Sequence, residues 1–246
     1  MTELRIIPLE GIPQVTQGDD LAVLLGQAAE RAGGLEDGDV LVVAHKVVSK
    51  AEGRVVRLDT VEPSPSANDL AAGKDPRHVE VVLREATRIV RTRAPLVIAE
   101  TRHGFVCASA GVDASNAPET GTVVLLPEDP DASAAELRDQ LRDLTDCEVG
   151  VVVSDSFGRA WRQGTTDVAI GVAGIVPLRD LGGTRDAAGY ELHATVIATA
   201  DEIAAAAELV RGKTEGIPAA IVRGLDVTGD GTAQDLVIPA ERDLFR

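Results

Sequence analysis

Short, uninterrupted runs of aliphatic residues limit how this chain can fold. Residues 149–153 are the most strand-like of these runs, and residues 40–44 and 219–222 have the same character. Runs of four to eight apolar residues bounded by turns are consistent with buried strands. Aromatic residues make up only 2% of the 246-residue chain, so Val, Leu, Ile and Ala must fill the core. These features predict a sheet that is covered by helices.

Apolar residues at helical spacing lie between these strands. They predict helices over residues 20–31, 76–90, 133–144 and 201–210, the first capped by Asp19 or Asp20. The third would open at a serine with a glutamate at capping-box spacing. Residues 60–68, which contain two prolines and two serines, are expected to form an exposed loop.

The order of these elements shows no regular βαβ alternation, which predicts an α+β or mixed α/β fold. The chain contains no GxxxxGK[ST] sequence, no GxGxxG after a strand and no HExxH. It is therefore expected to be neither a P-loop nor a Rossmann protein. We expect one domain over residues 1–246, built from two intertwined subdomains with a crossing near residues 60–76.

The charge and cysteine content narrow the possible partners. The formal net charge is −16, from 40 acidic and 24 basic residues, which disfavours nucleic acid and anionic membranes. An anionic substrate would therefore need a locally positive site. Two cysteines, no targeting signal and no apolar run of about 18 residues predict a reduced, cytoplasmic protein.

Two clusters of polar residues could bind phosphate or a metal ion. Lys46 and Lys50 leave the end of a predicted strand together with His45 and could converge on an anion, although an exposed basic turn fits the same spacing. Asp113 offers a hard oxygen ligand and Asn116 a carboxamide, although a Gly/Asp/Ser/Asn turn is the simpler interpretation.

Two further clusters follow later in the chain. Asp155 and Ser156 come directly after the most strand-like run and could give oxygen ligands to Mg²⁺ or Mn²⁺, with Arg159 nearby for an anion. A strand-ending turn with surface arginines is the alternative. Gly212 and Gly216 would let backbone N–H groups approach a phosphate, or else form a helix cap and a turn.

Taken together, these segments resemble the coenzyme F420-0:L-glutamate ligase family, both its stand-alone archaeal-type enzymes and the N-terminal ligase domain of the two-domain actinobacterial enzymes. The strings that carry the resemblance run in order over nearly the whole chain: GIP at residues 11–13, GDD at 18–20, DGDV at 37–40, KVVSKAEGR at 46–54, AGVDASN at 110–116, DSFGRAWR at 155–162, DEI at 201–203 and GIP at 216–218.

The resemblance implies a cytoplasmic homodimer with a family-specific fold. It implies a ligase that uses GTP to join L-glutamate to coenzyme F420-0, or to its dehydro form, through an acyl phosphate. It also implies extension of a γ-linked oligoglutamate tail. A related ligase acting on another cofactor acid and a non-catalytic GTP-binding module are the alternatives.

The resemblance also assigns roles to particular residues. The implied catalytic residues are Lys50, Asp113, Asp155 and Arg159. Asp113 and Asp155 would hold Mg²⁺ or Mn²⁺ and Ser156 a second ion, with K⁺ as a further candidate cofactor. The implied nucleotide contacts are Ile12, Pro13, Gln14, Val15, His45, Lys46, Lys50, Asn116, Arg211, Gly212, Lys213, Thr214, Glu215, Gly216 and Ile217.

Two residues depart from the family pattern. His45 stands where relatives often carry a small polar residue. Lys213 stands where archaeal relatives have a metal-ligating glutamine, and an ammonium group cannot ligate a cation. Lys213 is therefore expected to face phosphate.

Overall fold

The computed structural model describes residues 3–244 of the chain. Its helices are α1 (Leu21–Arg31), α2 (His45–Ala51), α3 (Pro65–Ala71), α4 (Pro76–Glu85), α5 (Pro130–Thr145) and α6 (Thr199–Arg211). Its strands are β1 (Arg5–Pro8), β2 (Val40–Ala44), β3 (Val55–Arg57), β4 (Ala86–Arg93), β5 (Leu96–Thr101), β6 (Val106–Ala108), β7 (Thr122–Val124), β8 (Gly150–Gly158), β9 (Thr165–Ala173), β10 (Leu178–Asp180), β11 (Val196–Ala198) and β12 (Ala219–Arg223). The prediction of a mixed helix-and-sheet fold is confirmed.

The three aliphatic runs form the centre of a five-stranded sheet with the order β1-β12-β2-β8-β9. The β2–β8 pair is parallel, and the other pairs are antiparallel. Alternate side chains point to opposite faces. Leu41 and Val151 belong to a core shared with α1 and α5, whereas Val42 and Val152 belong to a core shared with α6. Both faces are therefore covered, as predicted.

The stretch between β3 and β7 packs around a core of its own. This core contains Leu58, Val82 from α4, Val97 from β5 and Val123 from β7. The small sheets here are β3-β7 and β4-β5-β6. Two intertwined subdomains remain a prediction. Among residues 3–244, no helix has both the length and the apolar character needed to cross a membrane.

The predicted loop over residues 60–68 is wrong in its second half, because α3 begins at Pro65. Ser64 caps this helix, and its hydroxyl oxygen accepts the N–H of Ala67. The backbone N–H of Ser64 in turn donates to the Glu80 carboxylate of α4 at 2.9 Å. The hydrogen bonds that Glu80 accepts from Ser64 have the largest effect on its pKa, and the one from Arg84 has the next largest. Together they lower the pKa of Glu80 to about 2. This contact between α3 and α4 stabilises the start of α3. The sequence near Ser64 alone does not predict it.

The predicted helix over residues 76–90 is too long, because α4 ends at Glu85 and Ala86 begins β4. Thr87, Ile89 and Val90 are β-branched, and such residues favour a pleated strand. Pairing with β5 along the hairpin decides the conformation here.

Helix α5 begins at Pro130 rather than at Ser133. The Asp129 carboxylate caps it by accepting the N–H of Ala132 at 3.0 Å. The start of α5 packs closely on β9, where a Cβ added to Gly171 would lie 2.1 Å from the carbonyl oxygen of Pro130. A glycine is therefore needed where helix and strand meet.

Candidate active site

A cavity lies where the pairing of β2 with β8 ends. Ala44, the last residue of β2, pairs with Ser154, and β8 continues to Gly158 with β9 as its neighbour. Asp155 therefore lies inside a strand and not in a turn after it, which corrects the sequence-based expectation. It lies past the point where β2 ends and α2 begins. Ligand sites in α/β sheets commonly lie at the carboxyl ends of parallel strands.

The cavity has a volume of about 330 Å³. This lies within the usual range for ligand pockets, roughly 300–1,000 Å³. Six separate segments of the chain line it. The predicted site residues that they bring together are Ile12, Pro13, Gln14, Val15, His45, Lys46, Lys50, Asn116, Asp155, Ser156, Arg211, Gly212, Lys213, Gly216 and Ile217.

Four predicted site residues lie outside this lining. Asp113 does not line the cavity itself, but its carboxylate contacts Lys46, which does. Thr214 and Glu215 bond to each other on the exposed loop after α6, where Glu215 accepts the N–H and the hydroxyl of Thr214. Arg159 is exposed in the turn after β8 and donates to the carbonyl of Gln163 at 3.2 Å. Its predicted role stays a prediction.

Helix α2 supplies the basic wall of the cavity. Lys46 and Lys50 lie one turn apart on the same face of this helix. The Lys46 ammonium donates to Asp113 at 2.6 Å and to Ser115 at 2.7 Å. Lys50 is only 5% exposed, and among residues 3–244 it makes neither an ion pair nor a side-chain hydrogen bond. Burial, followed by the charge of Lys46, lowers the pKa of Lys50. This ammonium is therefore positioned for an anion in the cavity.

The two aspartates predicted to bind metal belong to one electrostatic cluster. Burial alone would raise both pKa values. For Asp113, hydrogen bonds from Lys46 and Ser115 and the positive charge of Lys46 outweigh burial and lower the pKa. For Asp155, interactions with His45 and Lys46 outweigh burial and lower the pKa. Since Lys46 acts on both carboxylates, Asp113 and Asp155 are near the same ammonium and are ionised at neutral pH, which is the form that binds a cation.

Asp113 and Asp155 can hold a divalent cation only together with further ligands. In the described part of the chain, no three His, Cys, Asp or Glu side chains are grouped as a metal site. Mg²⁺ sites that use one or two carboxylates are typically completed by water and substrate phosphates. The buried Nε2 atom of His45 lies 3.4 Å from the Asp155 carboxylate. The donor set therefore suits an ion that arrives with a phosphate group.

A buried polar network that the sequence analysis missed centres on Asp167 in β9. Its carboxylate accepts hydrogen bonds from Ser154 at 2.9 Å and from Ser156 at 2.6 Å. It also forms an ion pair with Arg211, the last residue of α6. Ser156 in turn accepts from the Lys213 ammonium at 2.5 Å. Asp167 thereby fixes the strand that carries Ser156 and the helix end that precedes the glycine-containing loop.

A signal for Asp167 was present in the sequence. It is the only charged residue between Arg162 and Arg179, and an apolar, glycine-rich stretch follows it. A lone carboxylate in a segment that must be buried needs a partner of opposite charge. That argument would have pointed to a buried arginine but could not have identified Arg211.

The loop after α6 reaches the cavity through two glycines with positive φ. Gly212 has a φ of 60° and Gly216 a φ of 71°. A Cβ at Gly212 would lie 2.0 Å from the carboxylate of Glu215. The Glu215 side chain is exposed and can move away, so it is the positive φ that favours glycine at Gly212, and backbone N–H groups can approach the cavity.

Comparison with known proteins adds an independent observation. Residues 11–224 match the family described as F420-0:Gamma-glutamyl ligase. A protein of Methanopyrus kandleri named coenzyme F420:L-glutamate ligase is 51% identical, over 99% of this chain and 98% of its own length. Proteins with the same name from Methanothermobacter thermautotrophicus and Archaeoglobus fulgidus are 45% and 42% identical, over 99% and 96% of their lengths. This chain belongs to the F420-0:gamma-glutamyl ligase family.

Proposed function

We propose that this protein is a GTP-dependent ligase that joins L-glutamate to coenzyme F420-0 through an amide bond. The acceptor would be F420-0 or its dehydro form, and further glutamates would join as a γ-linked tail. The convergence of Lys46, Lys50 and the 212–217 loop on one cavity carries the proposal. The names of the relatives, which are 42% to 51% identical to this chain, supply the substrates.

Phosphate recognition follows from the charges of the cavity. In a protein of net charge −16, Lys50 and Lys213 are cavity-lining ammonium groups that no carboxylate among residues 3–244 pairs with. They would contact the triphosphate of GTP, whose approach the open backbone at Gly212 and Gly216 permits. Ile12 and Val15, which also line the cavity, would border the nucleotide.

Amide formation requires activation of the acceptor carboxylate. A carboxylate oxygen of the acceptor attacks the γ-phosphorus of GTP, the bond to the β-phosphate oxygen breaks, and GDP leaves. The α-amine of glutamate then attacks the acyl carbon and loses a proton, and inorganic phosphate leaves. Lys46 and Lys50 would stabilise negative charge during the first step, since phosphoryl transfer depends mainly on positioning and electrostatics.

A divalent cation, Mg²⁺ or Mn²⁺, bound at Asp113 and Asp155 would add charge neutralisation for the phosphates. The second ion predicted at Ser156 would have to share that hydroxyl with the Lys213 ammonium, 2.5 Å away. A hydroxyl oxygen has only two lone pairs, and one of them already accepts from Lys213, whereas a carboxylate such as Asp113 has about four and can bind an ion beside Lys46. The proposal therefore includes only the first ion. Arg159 is proposed to bind an anionic group of the acceptor or of glutamate outside the cavity.

The proposal is tested with purified protein, GTP, Mg²⁺ or Mn²⁺, L-glutamate and F420-0. We expect GDP release to require both glutamate and F420-0, with a product heavier than F420-0 by one or more glutamate residues. Asp155→Ala should abolish ligation, whereas Asp69→Ala, at an exposed position of α3, should not. EDTA should stop turnover.

Each alternative gives a different result in this assay. GTP binding without any acceptor-dependent GDP release would indicate a non-catalytic module. Glutamylation of a folate-like or pterin-like acid in place of F420-0 would indicate a related ligase. Full activity of Asp155→Ala would show that the assigned metal site is wrong.

The sheet β4-β5-β6 supports the proposed homodimer. Strand β4 is at the edge of this sheet among the described residues. Ile89, Leu96 and Val106 on the sheet are 45%, 43% and 42% exposed. Exposed apolar residues on an edge sheet favour association. Light scattering should give twice the chain mass for the wild type and a lower mass for Ile89→Asp; a monomeric wild type would refute this part of the proposal.

A further inference from the structure

Glu208 is a carboxylate beside the cavity that has no bonded partner in the described part of the chain. It lies on α6 one turn before Arg211, and both residues line the cavity. Among residues 3–244, the Glu208 side chain forms neither a hydrogen bond nor an ion pair. The other carboxylates that line the cavity are bonded, Asp155 to His45 and Asp167 to Arg211. The two carboxylate oxygens of Glu208 are therefore available to a ligand.

The neighbouring guanidinium of Arg211 does not bond to Glu208. Burial lowers the pKa of Arg211, and the charges of Asp167 and then Glu208 oppose this effect. Glu208 is thus close enough to Arg211 for its charge to act there. The terminal nitrogens of Arg211 nevertheless donate to Ser154, Asp167 and the carbonyl of Pro218. Arg211 therefore leaves the Glu208 carboxylate open.

The proposed phosphate contacts lie in another part of the cavity. Burial, followed by the charge of Lys46, lowers the pKa of Lys50, and Glu208 does not act on it. A carboxylate close to Lys50 would raise that pKa. Glu208 therefore lies away from Lys50. If the phosphates of a bound nucleotide contact this lysine, the nucleoside lies at the end of the cavity that holds Glu208.

Apolar residues lie close to Glu208 at this end. The carbonyl of Pro218 accepts from Arg211 at 3.4 Å, which brings Ile217 and Pro218 next to the end of α6. Both residues line the cavity. Ligand pockets commonly combine apolar surfaces with a few polar groups that fix the orientation of the ligand. A planar base, with apolar faces and polar edges, fits this combination better than a ribose does.

We propose that Glu208 recognises the base of the nucleotide by accepting hydrogen bonds from the N1–H and the exocyclic N2 amine of guanine. The inference rests on the proposed function, because it takes the guanine nucleotide and its phosphate contacts from there. The two donors lie side by side on one edge of guanine, and a carboxylate has one oxygen for each. Adenine lacks the N2 amine and has a lone pair on N1, which the carboxylate repels. Glu208 thereby favours GTP over ATP.

The test is calorimetric titration of the full chain, with Mg²⁺, against GDP and the diphosphates of inosine (IDP) and xanthosine (XDP). IDP lacks the N2 amine, so wild type should bind GDP roughly 10- to 150-fold more tightly. Glu208→Gln replaces one acceptor oxygen with an NH₂ donor, which matches the oxygen that xanthine carries at the same carbon. This variant should therefore bind XDP more tightly than GDP. Glu202→Gln, the same change at an exposed position of α6, should keep the wild-type preference.

Several outcomes would overturn the inference: equal binding of GDP and IDP by wild type, or a wild-type order of preference in Glu208→Gln. An equal loss for all three nucleotides in Glu208→Gln, with a matching loss for 2′-deoxy-GDP in wild type, would place Glu208 at the ribose and also refute it. If Glu208→Gln does not fold, Glu208→Ala serves instead, and it should bind GDP and IDP within about twofold of each other.

Ligase activity measured on the same samples separates the inference from the proposed function. An active ligase whose base preference is unchanged in Glu208→Gln refutes the role of Glu208 alone. A changed preference in a protein that never forms glutamylated product refutes the proposed function alone. Failure of wild type to bind GDP refutes both.

Discussion

Replacing Lys50 with methionine should stabilise the nucleotide-free protein and weaken its binding of nucleotide. Lys50 is 5% exposed, and no acidic group among residues 3–244 pairs with it. Burial and the charge of Lys46 lower its pKa, so the folded protein holds this proton less tightly than the unfolded chain does. The charged ammonium therefore destabilises the fold, and this effect fades as the pH rises from the folded pKa towards 10.5.

The magnitudes follow from burial and from hydrogen bonding. A buried polar group without a partner costs about 1–3 kcal/mol, and more if it is charged. Methionine has a similar length and no charge, so Lys50→Met should recover about 1–3 kcal/mol, or roughly 2–12 °C in melting temperature. Loss of one hydrogen bond to a phosphate should cost about 1.5–3 kcal/mol, which corresponds to a roughly 10- to 150-fold weaker Kd for GDP.

Calorimetric titration with GDP and Mg²⁺ measures the binding, and thermal unfolding at pH 7 without nucleotide measures the stability. Lys74→Met is the matched control, because it makes the net charge of −16 more negative by the same single unit at an exposed position. It should change neither quantity appreciably.

Two results would refute this reasoning separately. If Lys50→Met binds GDP within about twofold of wild type, Lys50 does not contact the phosphates. If Lys50→Met melts below wild type at neutral pH, burial of the ammonium is not the destabilising feature inferred here. The difference in stability should also shrink in alkaline solution, and a constant difference would contradict the assigned pKa direction.

Three substitutions test the fold around the site. Asp167→Asn breaks the buried pair with Arg211 and should lower the unfolding free energy in guanidinium by about 3–5 kcal/mol; a loss well below this would mean that water solvates the pair. Gly171→Ala should cost about 1–3 kcal/mol in the same assay, whereas Gly158→Ala, with no atom within 4 Å of the added Cβ, should stay near wild type. Glu80→Gln should be less stable than wild type at pH 7. That difference should vanish as the pH falls from 4.5 through about 2, because the lowered pKa makes its contribution depend on the ionised form.

The centre of the main sheet could be predicted because each of its strands is evident from its own stretch of sequence. The aliphatic runs that become β2, β8 and β12 are continuous and are bounded by turns. Pairing of neighbouring segments was harder to predict. Residues 86–93 fit helical spacing as the end of α4, and only their pairing with β5 makes them a strand. The short helix α2 was not predicted. It has only seven residues, and its two adjacent apolar residues, Val47 and Val48, do not give the spacing typical of a helix.

The individual segments of the site could be predicted from the sequence, but the contacts between those segments could not. Asp155 was correctly associated with the last apolar strand, yet its exposure to the cavity depends on β2 ending opposite Ser154. That is a property of register between distant segments, which one strand alone cannot show. The contact between Lys46 and Asp113 joins residues 67 positions apart, and no local pattern predicts it.

The balance of charge explains why a cation is part of the proposed chemistry. The basic residues that line the cavity are matched in number by the acidic residues in or next to it: Lys46, Lys50, Arg211 and Lys213 against Asp113, Asp155, Asp167 and Glu208. Lys46 and Arg211 are already paired. The site is thus close to neutral, and side chains alone would not neutralise a triphosphate inside a strongly acidic protein. The same carboxylates that cancel the lysines are, however, the ones suited to hold a divalent ion. An ion bound with the nucleotide would turn an electrostatically neutral cavity into a positive one only when substrate is present.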